Sequence, residues 1–302
     1  MSRCWKRVFA PLSQALGLAL LMFAFPSVGL AQSLPTLSID AQSETSTAEG
    51  QLNLGLQHIQ QGQLDEAISA FRQATALNPN LSFAHYNLGL ALRQKGDLQN
   101  AANAFYQAIQ TQPDFALAYA NLGAALMEGS NIDLAAQYLE RSVLLDPNLG
   151  VGHYNLGLVR RIQGNSQGAI ESFQRALQIS NAPESAYHLG MTYLQLGNVD
   201  QATQALLQAV TINPNYAEAH YSLGTILYEQ GRLDQALNAF RRSAESNPNY
   251  PNAYFGAGLV FLTQGQPGEA QRVLQHARDL FAMQGNSQWA SSAEQLLLQV
   301  RN

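Results

Sequence analysis

A glycine that recurs at an almost constant interval limits the folds open to this chain more than any other feature of its sequence. The series is Gly55, Gly89, Gly123, Gly157, Gly190, Gly224 and Gly258. Its members are separated by 34, 34, 34, 33, 34 and 34 residues. A fixed period of this length is typical of repeat proteins, in which each repeat buries its apolar face against its neighbours. The 302 residues are therefore not expected to form the two globular domains that length alone suggests.

Other residues recur with the same period and give each repeat a predicted structure. Alanine stands 12 residues after each glycine, a phenylalanine or leucine follows four residues later, and an alanine or serine three residues after that. Residues three or four positions apart lie on one face of a helix, so this set predicts the buried face of a second helix. Further glycines such as Gly96 mark a tight turn before it, and prolines such as Pro113 end it. Each repeat is thus predicted to be a helix-turn-helix unit.

The order Leu-Gly, Gly, Ala, Phe, a small residue and Pro over 34 residues resembles the tetratricopeptide repeat, and residues 82–115 and 217–250 carry the full order. The resemblance implies an all-α fold, a right-handed α-solenoid superhelix of seven helix-turn-helix repeats. The repeats are placed at residues 48–81, 82–115, 116–149, 150–182, 183–216, 217–250 and 251–284. Residues 285–302 carry Ala293, Leu296, Leu297 and Val300 at helical spacing, which predicts a C-terminal capping helix.

Residues 1–31 have the three regions of a secretory signal peptide. Basic residues come first, an apolar run from Ala15 to Phe25 follows, and small residues precede a cleavage site after Ala31. The alternative is an uncleaved membrane anchor, but the apolar run is shorter than the about 20 residues that span a bilayer. We predict an exported protein, periplasmic or secreted, without an integral membrane span after cleavage. Residues 32–47, rich in Ser, Thr and Gln, are predicted to be a flexible tether.

The sequence contains no recognisable catalytic or cofactor motif. It has no phosphate-binding glycine loop, no His-Glu-x-x-His and no nucleophile elbow, and cleavage would remove Cys4, the single cysteine. Three histidines, His85, His153 and His220, share one repeat position, where we expect packing rather than metal binding. With 16 basic against 21 acidic residues, a nucleic-acid partner is also not expected. We predict a protein that is not an enzyme and holds no cofactor or metal.

The resemblance implies that the first helix of every repeat lines a concave groove, and an amide recurs there at one equivalent site. The four residues are Asn53, Asn87, Asn121 and Asn155. An amide can donate to a carbonyl and accept from an N–H together, so such a row suits the backbone of an extended peptide. The alternative is that these are ordinary polar residues on an exposed helix face.

Two further sets of groove residues are candidates for partner binding. The first is an aromatic row just before the amide site, formed by Tyr86, Tyr154, Tyr187 and Tyr221. Exposed aromatic rings favour binding, whereas the alternative is that these rings pack between neighbouring first helices. The second set is Arg93 and Arg161, which share a repeat position and are candidates to hold ligand carboxylates.

Together these residues predict an exported scaffold that binds an extended peptide or a partner protein through its concave groove. The alternative is an assembly or scaffolding factor for an envelope or membrane complex, acting through its convex face or as an oligomer. A receptor for chaperone tails is disfavoured, because Lys6 and Lys95 are the only lysines and the cationic set of such receptors is absent.

Overall fold

The computed structural model describes residues 46–301, and every regular element in that part of the chain is an α-helix. The predicted signal peptide, and all but the last two residues of the predicted tether, lie outside the described residues. The helices are α1 Ala48–Gln60, α2 Leu64–Leu77, α3 Ser82–Gln94, α4 Leu98–Thr111, α5 Ala116–Glu128, α6 Ile132–Leu145, α7 Gly150–Ile162, α8 Ser166–Ser180, α9 Pro183–Gln195, α10 Val199–Ile212, α11 Ala217–Glu229, α12 Leu233–Ser246, α13 Pro251–Thr263, α14 Pro267–Met283 and α15 Ser287–Arg301.

The helices stack in chain order. Each odd-numbered helix from α1 to α13 packs against the helix that follows it, and each second helix then packs against the first helix of the next repeat. All seven first helices begin at the residue where the sequence period begins a new repeat. The predicted all-α solenoid of helix-turn-helix repeats is therefore confirmed.

The turns inside the repeats need a left-handed backbone conformation, which glycine adopts without steric cost. Gly96, with φ of 84°, is one example of the six repeats that place glycine there. In the third repeat this position is Ser130, with φ of 64°, so a side chain is held in a conformation that glycine would tolerate better. The same turn geometry is therefore kept at some local strain.

The periodic glycines in the first helices serve packing rather than turning. A Cβ atom added to Gly157 would lie 2.7 Å from ring atoms Cδ1 and Cε1 of Phe173, which is fully buried in α8. The six other glycines of the series make the same close approach to a phenylalanine or leucine of their own second helix. Alanines on either side of Phe173, Ala169 and Ala176, are also fully buried. Each repeat thus closes on one large side chain held between small residues.

The last helix, α15, covers the apolar end of the stack. Ala293 and Leu297 are fully buried against α14, and the Trp289 ring lies 5.5 Å from that of Phe255 and 5.9 Å from that of Phe281, measured between centroids. The predicted capping helix is therefore present. None of the helices between residues 46 and 301 has the length and hydropathy needed to cross a membrane.

Candidate functional site

The first helices form the inner side of the stack. Beyond the packing in chain order, α3 contacts α5, α5 contacts α7, α7 contacts α9, and α11 contacts α13. Among the helices described, no two second helices of successive repeats are in comparable contact. Because helices on the inside of a curved stack approach one another more closely, the first helices line the concave surface.

The row of asparagines runs from exposed to buried along this surface. Asn53 is exposed, Asn87 is half-buried, and Asn121 and Asn155 are each only 9% exposed. The amide nitrogen of Asn121 donates to the Tyr86 hydroxyl at 3.2 Å and to the Leu117 carbonyl at 3.0 Å. Its hydrogen-bonding groups are thus engaged inside the protein. The amide nitrogen of Asn87 donates to the Phe83 carbonyl of its own helix at 2.7 Å, and the side chain of Asn53 is exposed.

The burial has a geometric cause in the stacking of the repeats. The equivalent residue of the fifth repeat is His188, whose ring stacks on that of Phe173 in the fourth repeat at 5.7 Å between centroids. In the seventh repeat it is Gly256, where an added Cβ would lie 2.6 Å from the Phe240 ring. The position therefore lies against the large residue of the preceding repeat.

The tyrosines of the aromatic row pack at the junctions between repeats. Their partners are the residues just before the next first helix, and the ring pairs are Tyr86 with Phe115 at 4.9 Å, Tyr187 with Tyr216 at 5.2 Å and Tyr221 with Tyr250 at 5.6 Å. Tyr154 lies 6.1 Å from Phe173 instead. Burial raises the pKa of Tyr86 and of Tyr221 to about 12. Within the chain, the main contacts of these rings are therefore packing contacts with neighbouring rings, most of them at the junctions between repeats.

Arg93 is paired with a carboxylate of the chain itself. Its Nε donates to Glu128 Oε1 at 2.7 Å, and Nη1 donates to Asn121 Oδ1 at 3.3 Å. The two charged side chains are 20% and 11% exposed, respectively, so the ion pair is largely shielded from water. Glu128 stands 35 residues after Arg93, which is one period plus one residue. Comparing residues at that spacing would have found the pair, whereas aligning equivalent positions of the repeats does not.

Arg161 stands at the same repeat position without such a partner. Among residues 46–301 no carboxylate lies within ion-pair distance of it, and its buried Nε makes no hydrogen bond. The buried Nδ1 of neighbouring His188 also has no partner. Burial lowers the pKa of the Arg161 guanidinium. Burial, with a smaller effect of the Arg161 charge, lowers the pKa of His188 to about 3.

The lowered pKa of His188 makes the stability of the protein depend on pH. Between pH 6.5 and 3 the unfolded chain binds a proton at this residue and the folded chain does not, so stability falls as the pH falls through that range. Replacing His188 with Asn, the residue of earlier repeats, should reduce the loss of unfolding free energy between pH 7 and pH 5 by about 2 kcal/mol. Urea titrations at both pH values measure it, and equal losses in the two proteins would contradict the prediction.

The three histidines at one shared position bind the backbone. Their Nε2 atoms lie within hydrogen-bonding distance of the carbonyl six residues earlier: His85 with Pro79 at 2.9 Å, His153 with Pro147 at 3.1 Å and His220 with Pro214 at 2.8 Å. The hydroxyl of Tyr254 makes the equivalent bond to Pro248. Sequence reasoning missed this contact, although the constant spacing from proline was visible. Within residues 46–301, no three His, Cys, Asp or Glu residues are grouped so as to hold a metal.

Comparison with known proteins agrees with this architecture. A tetratricopeptide repeat family model matches residues 52–114, 121–186, 187–251 and 223–282. No curated protein matches the chain significantly. Among solved structures, YrrB, described as a TPR protein with an unusual peptide-binding site, is 26% identical. The match covers 64% of this chain and 99% of that one, with a TM-score of 0.51.

Two other solved structures share the fold at lower identity. One is a chain in the crystal structure of the APC/C hetero-tetramer Cut9–Hcn1, which is 23% identical; the match covers 72% of this chain and 43% of that one, with a TM-score of 0.62. The other is a tetratricopeptide repeat protein from Parabacteroides merdae, 17% identical, covering 85% of this chain and 100% of that one with a TM-score of 0.61.

Proposed function

Since the chain belongs to the tetratricopeptide repeat family, a fold that generally serves as a non-catalytic protein-interaction scaffold, we propose that it binds an extended peptide or partner segment along its concave surface. The observation that carries this proposal is an amide at one equivalent position on consecutive first helices, exposed at Asn53 and half-buried at Asn87. The similar structure of YrrB, described as having a peptide-binding site, supports it.

The binding mechanism follows from the chemistry of the amide group. A side-chain amide donates to a peptide carbonyl and accepts from a peptide N–H, so it contacts any sequence in an extended conformation. The first helices are held in place by their packing on the second helices, and binding therefore orders few additional groups of the protein. Asn121 plays a different part in this proposal. Its amide holds the side chains of Arg93 and Tyr86 in place, which makes the groove surface beside Asn53 and Asn87 more rigid.

Export of the protein is part of the proposal and rests on residues 1–31 alone. Their basic, apolar and small-residue regions support cleavage after Ala31, and an uncleaved anchor is the alternative. N-terminal sequencing of the protein purified from its own cells tests this. We expect the mature chain to begin at Gln32, and a chain that begins at Met1 would contradict cleavage.

The amide contact is tested by a double substitution, Asn53→Ala with Asn87→Ala. The loss of each amide should cost about 1 kcal/mol net, so the affinity for a partner cross-linked and identified in the native compartment should fall roughly 30-fold. The thermal midpoint should stay unchanged, because neither side chain is part of the core. The measurement is titration of the purified partner.

A matched control replaces two exposed amide side chains of second helices, Asn103→Ala in α4 with Gln137→Ala in α6. This control should bind the partner as the unmodified protein does. The same affinity in both double variants would remove the amide contact from the proposal. Asn121 is left unchanged, because its loss would also deprive Arg93 of an acceptor.

A second candidate function is an assembly factor that uses its convex face, and one feature favours it. A cleft of about 650 Å³ lies between α10 and α12 above α11, with Leu207, Val210 and Leu223 among its apolar lining residues and Arg242 among its polar ones. Leu207 is 51% exposed. If this face binds the partner, Leu207→Ser with Arg242→Ala should abolish the interaction while the two groove substitutions leave it intact.

A further inference from the structure

Two junctions of the stack are built from the same set of positions but differ in charge. The junction between the second and third repeats contains Tyr86, Arg93, Asn121 and Glu128. The corresponding residues between the fourth and fifth repeats are Tyr154, Arg161, His188 and Gln195. The first junction therefore carries a cation and an anion, and the second carries a cation alone.

The arginines are unusual at this position, since the other repeats place a less polar residue there. Those residues are Ile59, Met127, Leu194, Tyr228 and Leu262. A buried cation is expensive unless it is paired and hydrogen-bonded. At the first junction Glu128 and Asn121 supply that compensation for Arg93. At the second junction neither role is filled by the chain.

The unfilled junction leaves two buried nitrogens without partners, Nε of Arg161 and Nδ1 of His188. The two residues are close enough for the guanidinium charge to act on the imidazole, and the rings of Tyr154 and Tyr187 border it. Gln195, which replaces the acid, is exposed at the end of α9. The junction thus offers donors around a positive charge. Among residues 46–301 no carboxylate is ion-paired with Arg161, although the charges of Glu184 and Glu218 act on the bordering hydroxyls of Tyr154 and Tyr187.

We propose that Arg161 and His188 bind a carboxylate of the peptide ligand, in the place that Glu128 occupies at the earlier junction. A guanidinium can bind both oxygens of a carboxylate through parallel N–H bonds. The neutral imidazole, with its proton on Nδ1, donates a further bond. The inference rests on the proposed function, because it assigns the carboxylate to the ligand of the concave surface. The group is either a C-terminal carboxylate or an Asp or Glu side chain.

Acetate is the smallest probe of this site. In nitrogen-15 NMR spectra of the whole chain, acetate should shift the Arg161 Nε–H signal along a saturable curve, and chloride at equal ionic strength should not. Arg161→Met, which introduces the residue found at Met127, should abolish the saturable acetate shift of the His188 ring nitrogens, which the unmodified protein should also show. Arg241→Met, at an exposed arginine of α12, is the matched control and should bind acetate as the unmodified protein does.

A second variant supplies the missing acid from inside the protein. Gln195→Glu places a carboxylate where Glu128 stands in the third repeat, so it should compete with acetate and weaken its binding at least tenfold. It should also raise the thermal midpoint, because the guanidinium gains a partner. The proposal would be overturned if the Arg161 signal did not shift with acetate, or if Gln195→Glu bound acetate with unchanged affinity.

Three acetylated Ala-Ser hexapeptides identify the source of the carboxylate. One ends in a free carboxylate, one ends in a carboxamide, and one ends in a carboxamide but carries a central glutamate. Arg161-dependent binding of the first or the third supports the proposal and names the source. Equal binding of all three, or binding of none, overturns it.

The outcomes separate this inference from the proposed function. If Asn53→Ala with Asn87→Ala weakens partner binding while acetate leaves Arg161 untouched, the carboxylate site is wrong and the groove stands. If acetate binds at Arg161 and the asparagine variant binds the partner normally, the amide contact is wrong and the site stands.

Discussion

Replacing Gly157 with alanine should destabilise the protein by about 2–3 kcal/mol, even though alanine is the better helix former by about 1 kcal/mol. The added Cβ would meet the Phe173 ring at 2.7 Å, and this ring is fully buried in a close-packed interior. Urea unfolding followed by circular dichroism measures the change. A destabilisation of this size at a buried helix position would show that packing against the second helix, and not helix propensity, requires glycine at this interval in the sequence.

Two comparisons isolate that cause. In α14, Gly268 has no atom within 4 Å of an added Cβ, so Gly268→Ala should be neutral or stabilising by up to about 1 kcal/mol. Phe173→Ala should cost about 3–5 kcal/mol. Combined with Phe173→Ala, Gly157→Ala should cost nothing further, because the new methyl group then enters the cavity. Additive losses in the double variant would contradict a direct clash.

Replacing Leu297 with aspartate should detach the capping helix. This side chain is fully buried between α15 and α14, and an unpaired buried carboxylate costs several kcal/mol, more than one helix at the end of a stack contributes. The apolar residues beneath it, including Phe281 and Leu274, would then face water. We expect a lower thermal midpoint and concentration-dependent association.

The neighbouring residue provides the control, since Leu298 is 51% exposed on the same helix. Leu298→Asp should therefore leave the cap in place. In a Trp5→Phe background Trp289 is the single tryptophan, and its emission should shift to longer wavelength in Leu297→Asp alone. Similar emission spectra and thermal midpoints in the two aspartate variants would mean that α15 contributes little to the end of the stack.

The sequence predicted the elements of the fold well because a repeat pattern describes positions along one helix pair. The starts of α3 and α9 fall where the period places them, although the fourth repeat is one residue shorter than the others. The pattern says little about how neighbouring repeats cover one another. The burial of Asn121 and the contact of Tyr187 with Tyr216 depend on the rotation between units, which no single repeat encodes.

The candidate site was predictable only in part for the same reason. Arg93 and Arg161 share one position in the pattern, and nothing within their own repeats distinguishes them. The difference comes from the next repeat, which supplies Glu128 to one and Gln195 to the other. Comparing each residue with those one period and one residue further along reveals such pairs, because residues at that spacing meet across a junction.

The pairing of Arg93 with Glu128 has a consequence for how a ligand is aligned. Asn53 and Asn87 would hold any stretch of an extended peptide equally well, because an amide contacts the backbone alone, so a peptide bound only by them can slide along the groove and keep the same contacts. Glu128 neutralises Arg93, one of the two equivalent arginines, and leaves Arg161 to bind a negatively charged group of the ligand. A ligand carboxylate bound there would stop the peptide from sliding. Under the proposal made above, the amides bind the backbone of the peptide, and the charge of Arg161 fixes the register and direction of the bound chain.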